Sequence, residues 1–223
     1  MMITHHPSEI VLAEFANSIL DETTTLVVGA HISQCRACRA VVHRLEMLGG
    51  AALDKDEHLA PMSVSADDLL SRTDAMPEPA PSRRDVEAAS PEPLNKTGVE
   101  RLLSLYDDSI DGGKWRWIGP GVHWRPIRVP SDSGLRVFML KARPGTALPH
   151  HKHSGIEWTT VLKGAFVHAH GRFGPGDFDE ADSSMEHDPV VEMGDECICI
   201  VAMNGRLELQ GIVGRLLQPF VRL

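Results

Sequence analysis

The sequence predicts two dissimilar parts, a small all-α helical domain followed by an all-β barrel or sandwich. Three observations carry that reading. Residues 8–50 place apolar side chains at helical spacing between good capping residues. The stretch from Asp74 to Pro93 is interrupted by Pro77, Pro79, Pro81, Pro91 and Pro93, a composition that resists packing. From Gly98 onward come 16 of the 19 glycines and ten of the eleven aromatic residues, set among short alternating runs. At 223 residues the chain can fill two modest domains. The expected boundaries are 1–73 for the helical domain, 74–97 for a Pro-rich linker and 98–223 for the β domain.

Taken in order, Ser8 is the expected N-cap of a first helix carrying Val11, Leu12 and Phe15. Asp21 caps a second helix through Leu26, Val27, Ala30 and His31. A third begins near Arg39, uses Val42, Leu45 and Leu48, and stops at Gly49 and Gly50. A short fourth helix fits 65–72, with Ser65 as cap and Asp67 and Asp68 at the positive end of the helix dipole. In the second half, residues 135–141 and 197–202 alternate as strands do. No internal repeat or heptad pattern is present.

Composition excludes several classes of function. The formal charge of −9 disfavours nonspecific nucleic-acid binding, which needs a basic surface. No run of about 18 apolar residues offers a membrane span, and the first residues lack the basic and apolar segments of a secretory signal. A cytoplasmic protein is the expectation. Twelve histidines and four cysteines in two close pairs, Cys35/Cys38 and Cys197/Cys199, point to metal or redox chemistry ahead of disulfides.

His31 and Cys35 stand four residues apart, which on a helix puts them on one face, and Cys38 follows within another turn. Zinc takes four such ligands in a tetrahedron, so a fourth donor is needed, with His5, His6 and His43 available nearby. No βαβ pattern surrounds the cysteines, which disfavours a thioredoxin-type pair. This histidine and cysteine spacing, in about four short helices behind an N-terminal histidine, resembles the zinc-binding anti-sigma family. The resemblance implies that His6, His31, Cys35 and Cys38 are zinc ligands. It further implies that the helical domain grips an extracytoplasmic-function sigma factor and keeps it from RNA polymerase.

In the β domain, alternation puts His151 and His153 on one strand face, and a Ser154–Gly155 turn can return Glu157 to them. Two imidazoles and a carboxylate suit Zn, Fe, Mn or Ni. With Gly145 and Gly164 at its ends, this segment fits a G-x5-H-x-H-x3-E-x6-G spacing and resembles the first cupin motif. His187 is the natural fourth ligand after the Gly174–Pro175–Gly176 turn, at a longer gap than that motif has, with His168 and His170 as alternatives. His150 should point away from its neighbours. Trp115, Trp117 and Trp124 read as strand-packing residues, Cys197 and Cys199 as buried thiols, and Arg83 and Arg84 as solvated linker charge.

A zinc anti-sigma domain joined to a cupin-like domain resembles the ChrR family of anti-sigma factors over nearly the whole chain. The resemblance implies a helical part that holds the sigma factor, and a cupin domain, with zinc or another divalent metal, that responds to singlet oxygen or related oxidants. The expected sigma-facing surface is the apolar face of the first helices, including Val11, Leu12 and Phe15. The rival reading is a metal-dependent cupin dioxygenase or isomerase with a helical regulatory appendage.

Overall fold

In the computed structural model, which describes residues 2–53, 64–65, 67–68, 71–72, 97–106, 108–130 and 133–209, Ser8 and Asp21 cap the first two helices. The Ser8 hydroxyl accepts from Val11 N at the start of α1 (Glu9–Ala16). The Asp21 carboxylate accepts from Thr23 N and Thr24 N at 2.7 and 3.3 Å, opening α2 (Glu22–Gln34). Only one residue, Cys35, separates α2 from α3 (Arg36–Leu53). Its extended backbone, with φ −92° and ψ 105°, ends α2. The expected third helix near Arg39 therefore starts three residues earlier and runs through Gly49 and Gly50. A helical glycine costs only about 1 kcal/mol relative to alanine, too little to stop an established helix. Of the fourth expected helix, 67–68 and 71–72 are helical, Ser65 caps it by accepting from Asp68 N at 3.1 Å, and the rest lies outside the described residues. So do Arg83, Arg84, the linker prolines and the whole of 74–97 except Thr97.

Thr97 opens a helix that the sequence reading did not anticipate, α4 (Gly98–Ser104), through a reciprocal capping box with Glu100. Strands follow as β1 (Arg116–Gly119), β2 (Val122–Pro126), β3 (Arg136–Ala142), β4 (His151–His153), β5 (Glu157–Lys163) and β6 (Phe166–His168). The remaining six are β7 (Gly171–Phe173), β8 (Phe178–Ala181), β9 (Glu186–His187), β10 (Val190–Val191), β11 (Cys197–Met203) and β12 (Leu207–Leu209). All their pairings are antiparallel. A six-stranded sheet has the order β1-β2-β3-β11-β5-β8, and two three-stranded sheets have the orders β10-β6-β7 and β12-β4-β9. The β domain is thus cupin-like, as expected, with its ladders among the described residues arranged in three sheets and not closed into one.

Two compact units divide the chain, Met1–Met47 with Thr97–Leu223, and Leu48–Lys96. Within the first, α2 lies against β3, β5, β11 and α4. Strand β11 is buried along its whole length because both its faces are covered. Ile198, Ile200 and Ala202 join Leu26, Val27, Val28 and Ala30 of α2 in one core. Cys197, Cys199, Val201 and Met203 face the other way, with Val122, Phe138, Val161 and Phe166. A hydrogen bond from Thr160 Oγ1 to the carbonyl of Val27, at 2.8 Å, crosses the helix–sheet boundary. Leu26 is fully buried there, so Leu26→Ala is expected to cost about 2–5 kcal/mol, read as a lowered urea midpoint. An unchanged midpoint would mean that α2 does not share the core of the sheet.

The strand connections also shape the interior. Gly164, between β5 and β6, has φ +68°, and a Cβ there would stand 2.4 Å from the carbonyl oxygen of Glu196. Only glycine fits, which accounts for the terminal glycine of the motif. Among the described residues no helix is long and apolar enough to cross a membrane.

Candidate metal centres

The break at Cys35 brings the first group together. His31 lies in the last turn of α2, Cys35 in the one-residue joint and Cys38 in the first turn of α3. Cys35 N donates to the His31 carbonyl at 2.8 Å, so the two side chains keep the i,i+4 relation that the spacing predicts, and the joint after Cys35 turns Cys38 toward the same point. The N-terminal arm supplies the fourth member. His6 Nδ1 stands 3.4 Å from both Cys35 Sγ and Cys38 Sγ, and one donor atom from each of His6, His31, Cys35 and Cys38 lies within 4.8 Å of the others. A tetrahedron with arms of about 2.0–2.3 Å has edges near the separations seen from His6 to the two sulfurs.

His31 is fully buried and its ring is held from behind. Nδ1 lies 2.7 Å from the carbonyl oxygen of Gly176. A carbonyl can only accept, so Nδ1 carries the proton and Nε2 presents its lone pair. Among the described residues Nε2 is buried without a hydrogen-bond partner, the condition of an atom awaiting a cation. Burial lowers the His31 pKa to about 4, which keeps the ring neutral. Burial and the adjacent Cys35 push the Cys38 thiol up to about 12. A soft cation at these sulfurs would displace the thiol protons to solvent and stabilise the thiolates that burial alone disfavours, so the donor set fits a metal ion. His5, the neighbour in competition with His6, instead stacks on Phe173 with ring centroids 4.1 Å apart. His43 is exposed on α3 beside Glu46.

The second group lies inside the β domain. Strand β9 pairs with β4 so that His187 is the Cα partner of His151, which closes the long gap from the Gly174–Pro175–Gly176 turn. Donor atoms of His151, His153 and His187 lie within 4.8 Å of one another, and all three residues are buried. His153 Nε2 faces His187 Nε2 at 3.1 Å, while His187 Nδ1 and His153 Nδ1 have no hydrogen-bond partner. His151 Nδ1 donates to the Pro149 carbonyl at 2.7 Å, leaving Nε2 as its donor atom. Burial first, then the neighbouring histidines, lower the His187 pKa to about 3. The rings are therefore neutral, the form that binds cations.

Glu157 stands beside the trio and outside its point of convergence, with Oε2 3.4 Å from His153 Nδ1. Burial raises its pKa to about 7 against the opposing pull of His151. A cation would relieve that burial penalty directly. Asp179 is the residue that sequence reasoning missed. Its carboxylate, with His168 and His187, forms a third possible donor group that shares His187 with the second. Its signal was the alternation of β8, which turns Phe178 to the helices and Asp179 inward. His168 is already engaged at both nitrogens: Nδ1 accepts from the backbone N–H of His170 at 3.2 Å, and Nε2 donates to Asp179 Oδ2 at 3.1 Å. It orients Asp179. His150 points outward to Glu186, as alternation requires.

The expected sigma-facing residues sit differently. Val11 and Leu12 are buried in the chain's own core, and Phe15 packs half-buried against it. In this conformation they are not an open surface, because α1 spends its apolar face on α2 and its neighbours. The exposed apolar residue of α1 is Ile10, 71% accessible. Of the tryptophans, Trp115 lies under Arg125 and Lys141, Trp124 packs edge-on against Phe138, and Trp117 is 66% exposed.

Comparison with known proteins agrees with both halves. The family described as the ChrR cupin-like domain matches residues 109–206. The anti-sigma-E factor ChrR of Cereibacter sphaeroides is 35% identical over 224 residues, with both chains covered completely. The crystal structure of Rhodobacter sphaeroides SigE in complex with the anti-sigma ChrR is similar at a TM-score of 0.71 and 32% identity, covering 91% of this chain and all of that one. A full-length relationship of this strength, joined to helices followed by a cupin-like β domain, places this chain in the ChrR family of anti-sigma factors.

Proposed function

We propose that this protein binds an extracytoplasmic-function sigma factor in the cytoplasm, holds it from RNA polymerase without touching nucleic acid, and releases it on an oxidative signal such as singlet oxygen. The observation that carries the reading is the convergence of His6, His31, Cys35 and Cys38 from four separate points of the helical segment in a chain related over its full length to an anti-sigma factor. Zinc suits two thiolates and two imidazoles, and would tie the N-terminal arm to the joint of α2 and α3. In the β domain, His151, His153 and His187, with Glu157 and Asp179 beside them, suit zinc or another divalent ion. The full-length kinship supports a regulator over the dioxygenase or isomerase that the histidine set alone would also allow.

The chain's own residues do the mechanical part. His31 hydrogen-bonds the β7–β8 turn at Gly176, so the zinc-bearing helix joint and the β domain share a rigid contact. Ser8, the cap of α1, donates to Glu180 of β8 through its backbone N–H at 3.1 Å. A change at the β-domain donors therefore reaches the helices through β8 without a long path. To test the function, the full chain is mixed with its cognate sigma factor and transcription is measured with and without a singlet-oxygen source. A stable complex that dissociates on exposure is expected, whereas unimpeded transcription would refute the reading.

His187 belongs to both β-domain donor groups, and His168 is occupied with Asp179. Hence His187→Ala should remove the β-domain metal altogether and His168→Ala should leave most of it, as read by metal content per chain. The His187 variant should still bind the sigma factor and lose release. Equal metal loss in the two variants would show that His187 has no special place.

A further inference from the structure

The interior of the β domain holds far more space than an ion needs. A cavity of about 450 Å³ lies between the six-stranded sheet and the two small ones, within the roughly 300–1,000 Å³ of small-molecule sites. Its mouth is partly open to solvent, and water held against walls this apolar is released when an apolar occupant takes its place. The walls are apolar or sulfur-bearing, with Phe138, Leu140, Val201 and Met203 on one side and Phe166 on another. Among the described residues the polar lining is confined to His151, Glu157, Thr159, Asp179 and His187. One compact polar end in an otherwise apolar chamber matches a molecule with a long apolar body and one polar head.

The charge of that end selects the head. Among the described residues no lysine or arginine lines the cavity, whose charged side chains are Glu157 and Asp179. A divalent cation among the histidines balances these two carboxylates. An anionic head would then add an unbalanced charge in a desolvated place, and a cationic head would compete with the metal. A neutral hydroxyl, carbonyl or hydroperoxide leaves the balance intact and can still give or accept a hydrogen bond.

We propose that this cavity binds a neutral, largely apolar small molecule of roughly ten to fifteen non-hydrogen atoms, whose single oxygen-bearing head reaches the end formed by His151, His187 and Asp179. The charge argument rests on the β-domain metal proposed above. The signal then arrives as an occupant of the sensor's interior, and the donors at the polar end are the first groups that it disturbs.

The test is a calorimetric titration of the full-length, metal-replete chain with three probes of equal tail: 1-decanol, decanoate and decyltrimethylammonium. Saturable binding of about one 1-decanol per chain is expected, with both charged probes at least tenfold weaker. Leu140→Trp and Leu148→Trp narrow the cavity from two different segments, so that one misfolded variant does not end the experiment. Each should weaken 1-decanol at least tenfold and keep wild-type metal content. Absence of saturable binding by the wild type, unchanged binding by the folded variants, or tighter binding of decanoate than of 1-decanol overturns the proposal. Metal content and sigma-factor binding are measured on the same samples. A wild-type chain that takes up 1-decanol but lacks a second metal equivalent, or does not bind the sigma factor, fails the corresponding functional reading and leaves the cavity assignment standing.

Discussion

On the proposed function, serine at both Cys35 and Cys38 is expected to abolish metal binding at the helical site and to weaken binding of the sigma factor at least a hundredfold. The size of the effect follows from what the metal joins. Cys35 is the only residue between α2 and α3, and His6 belongs to an arm that precedes α1, so the four donors tie three segments at one point. In small zinc-dependent domains metal binding contributes about 10–16 kcal/mol that is in effect folding energy. Without the ion, His31 Nε2 stays buried and unpaired, a cost of about 1–3 kcal/mol that favours opening. Metal content and sigma-factor affinity should therefore fall together. Undiminished affinity in the zinc-free variant would show that helix packing alone shapes the grip. His5→Ala serves as the control, since the His5 ring rests on Phe173 and its loss should leave zinc in place.

What the sequence disclosed and what it hid divide along the range of the forces involved. Caps are local, and Ser8 and Asp21 did in the structure what their side chains predict. The joint at Cys35 was hidden because no proline or glycine marks it, and the contact that gives it a purpose, His6 Nδ1 against the Cys35 sulfur, comes from 29 residues away. Gly49 and Gly50 looked like a stop, yet the sequence lacks a reason for the chain to leave the helix there, and α3 continues to Leu53. The run from Cys197 to Met203 could be read as a strand, but not as the strand buried on both faces, since that depends on α2 lying over one side. The same packing consumes Val11 and Leu12, which an amphipathic reading of α1 alone would leave for a partner. Asp179 escaped notice because a carboxylate in a short strand has no spacing signature until the strand's inward face is known. His187 could be named beside His168 and His170 from its type and its place after a glycine-rich turn, but its position opposite His151 depends on the pairing of β4 with β9, which no local signal gives.

Asp177→Ala is expected to speed loss of the proposed zinc from the helical segment at least tenfold while all four candidate donors there and all the β-domain donors remain. Asp177 is buried, only 4% accessible, at the entrance to β8. Its Oδ1 accepts from the backbone N–H groups of Thr4 and His5 at 2.6 and 2.9 Å, and its Oδ2 accepts from Gly174 N at 2.8 Å. Burial pushes its pKa up, and the bonds from Gly174, His5 and Thr4 more than reverse that, so it remains an ionised acceptor. Phe178 adds a backbone bond from its N–H to the His5 carbonyl at 3.1 Å. The arm that ends in His6 is therefore laid along the start of the strand that carries Asp179 into the β-domain cluster. Bonds to a charged acceptor are each worth about 1.5–3 kcal/mol, and alanine leaves three donors unsatisfied. A loss of even one such bond's energy from the arm corresponds to about a tenfold shift in its occupancy. Because coupling is reciprocal, the same variant should also blunt the effect that metal at the β-domain histidines has on the reactivity of Cys35 and Cys38. Thiol-reagent kinetics on the full chain, with the β-domain site filled or emptied through His187→Ala, read both effects. Identical kinetics with and without Asp177 would mean that zinc alone holds the arm, and that β8 does not connect the two centres.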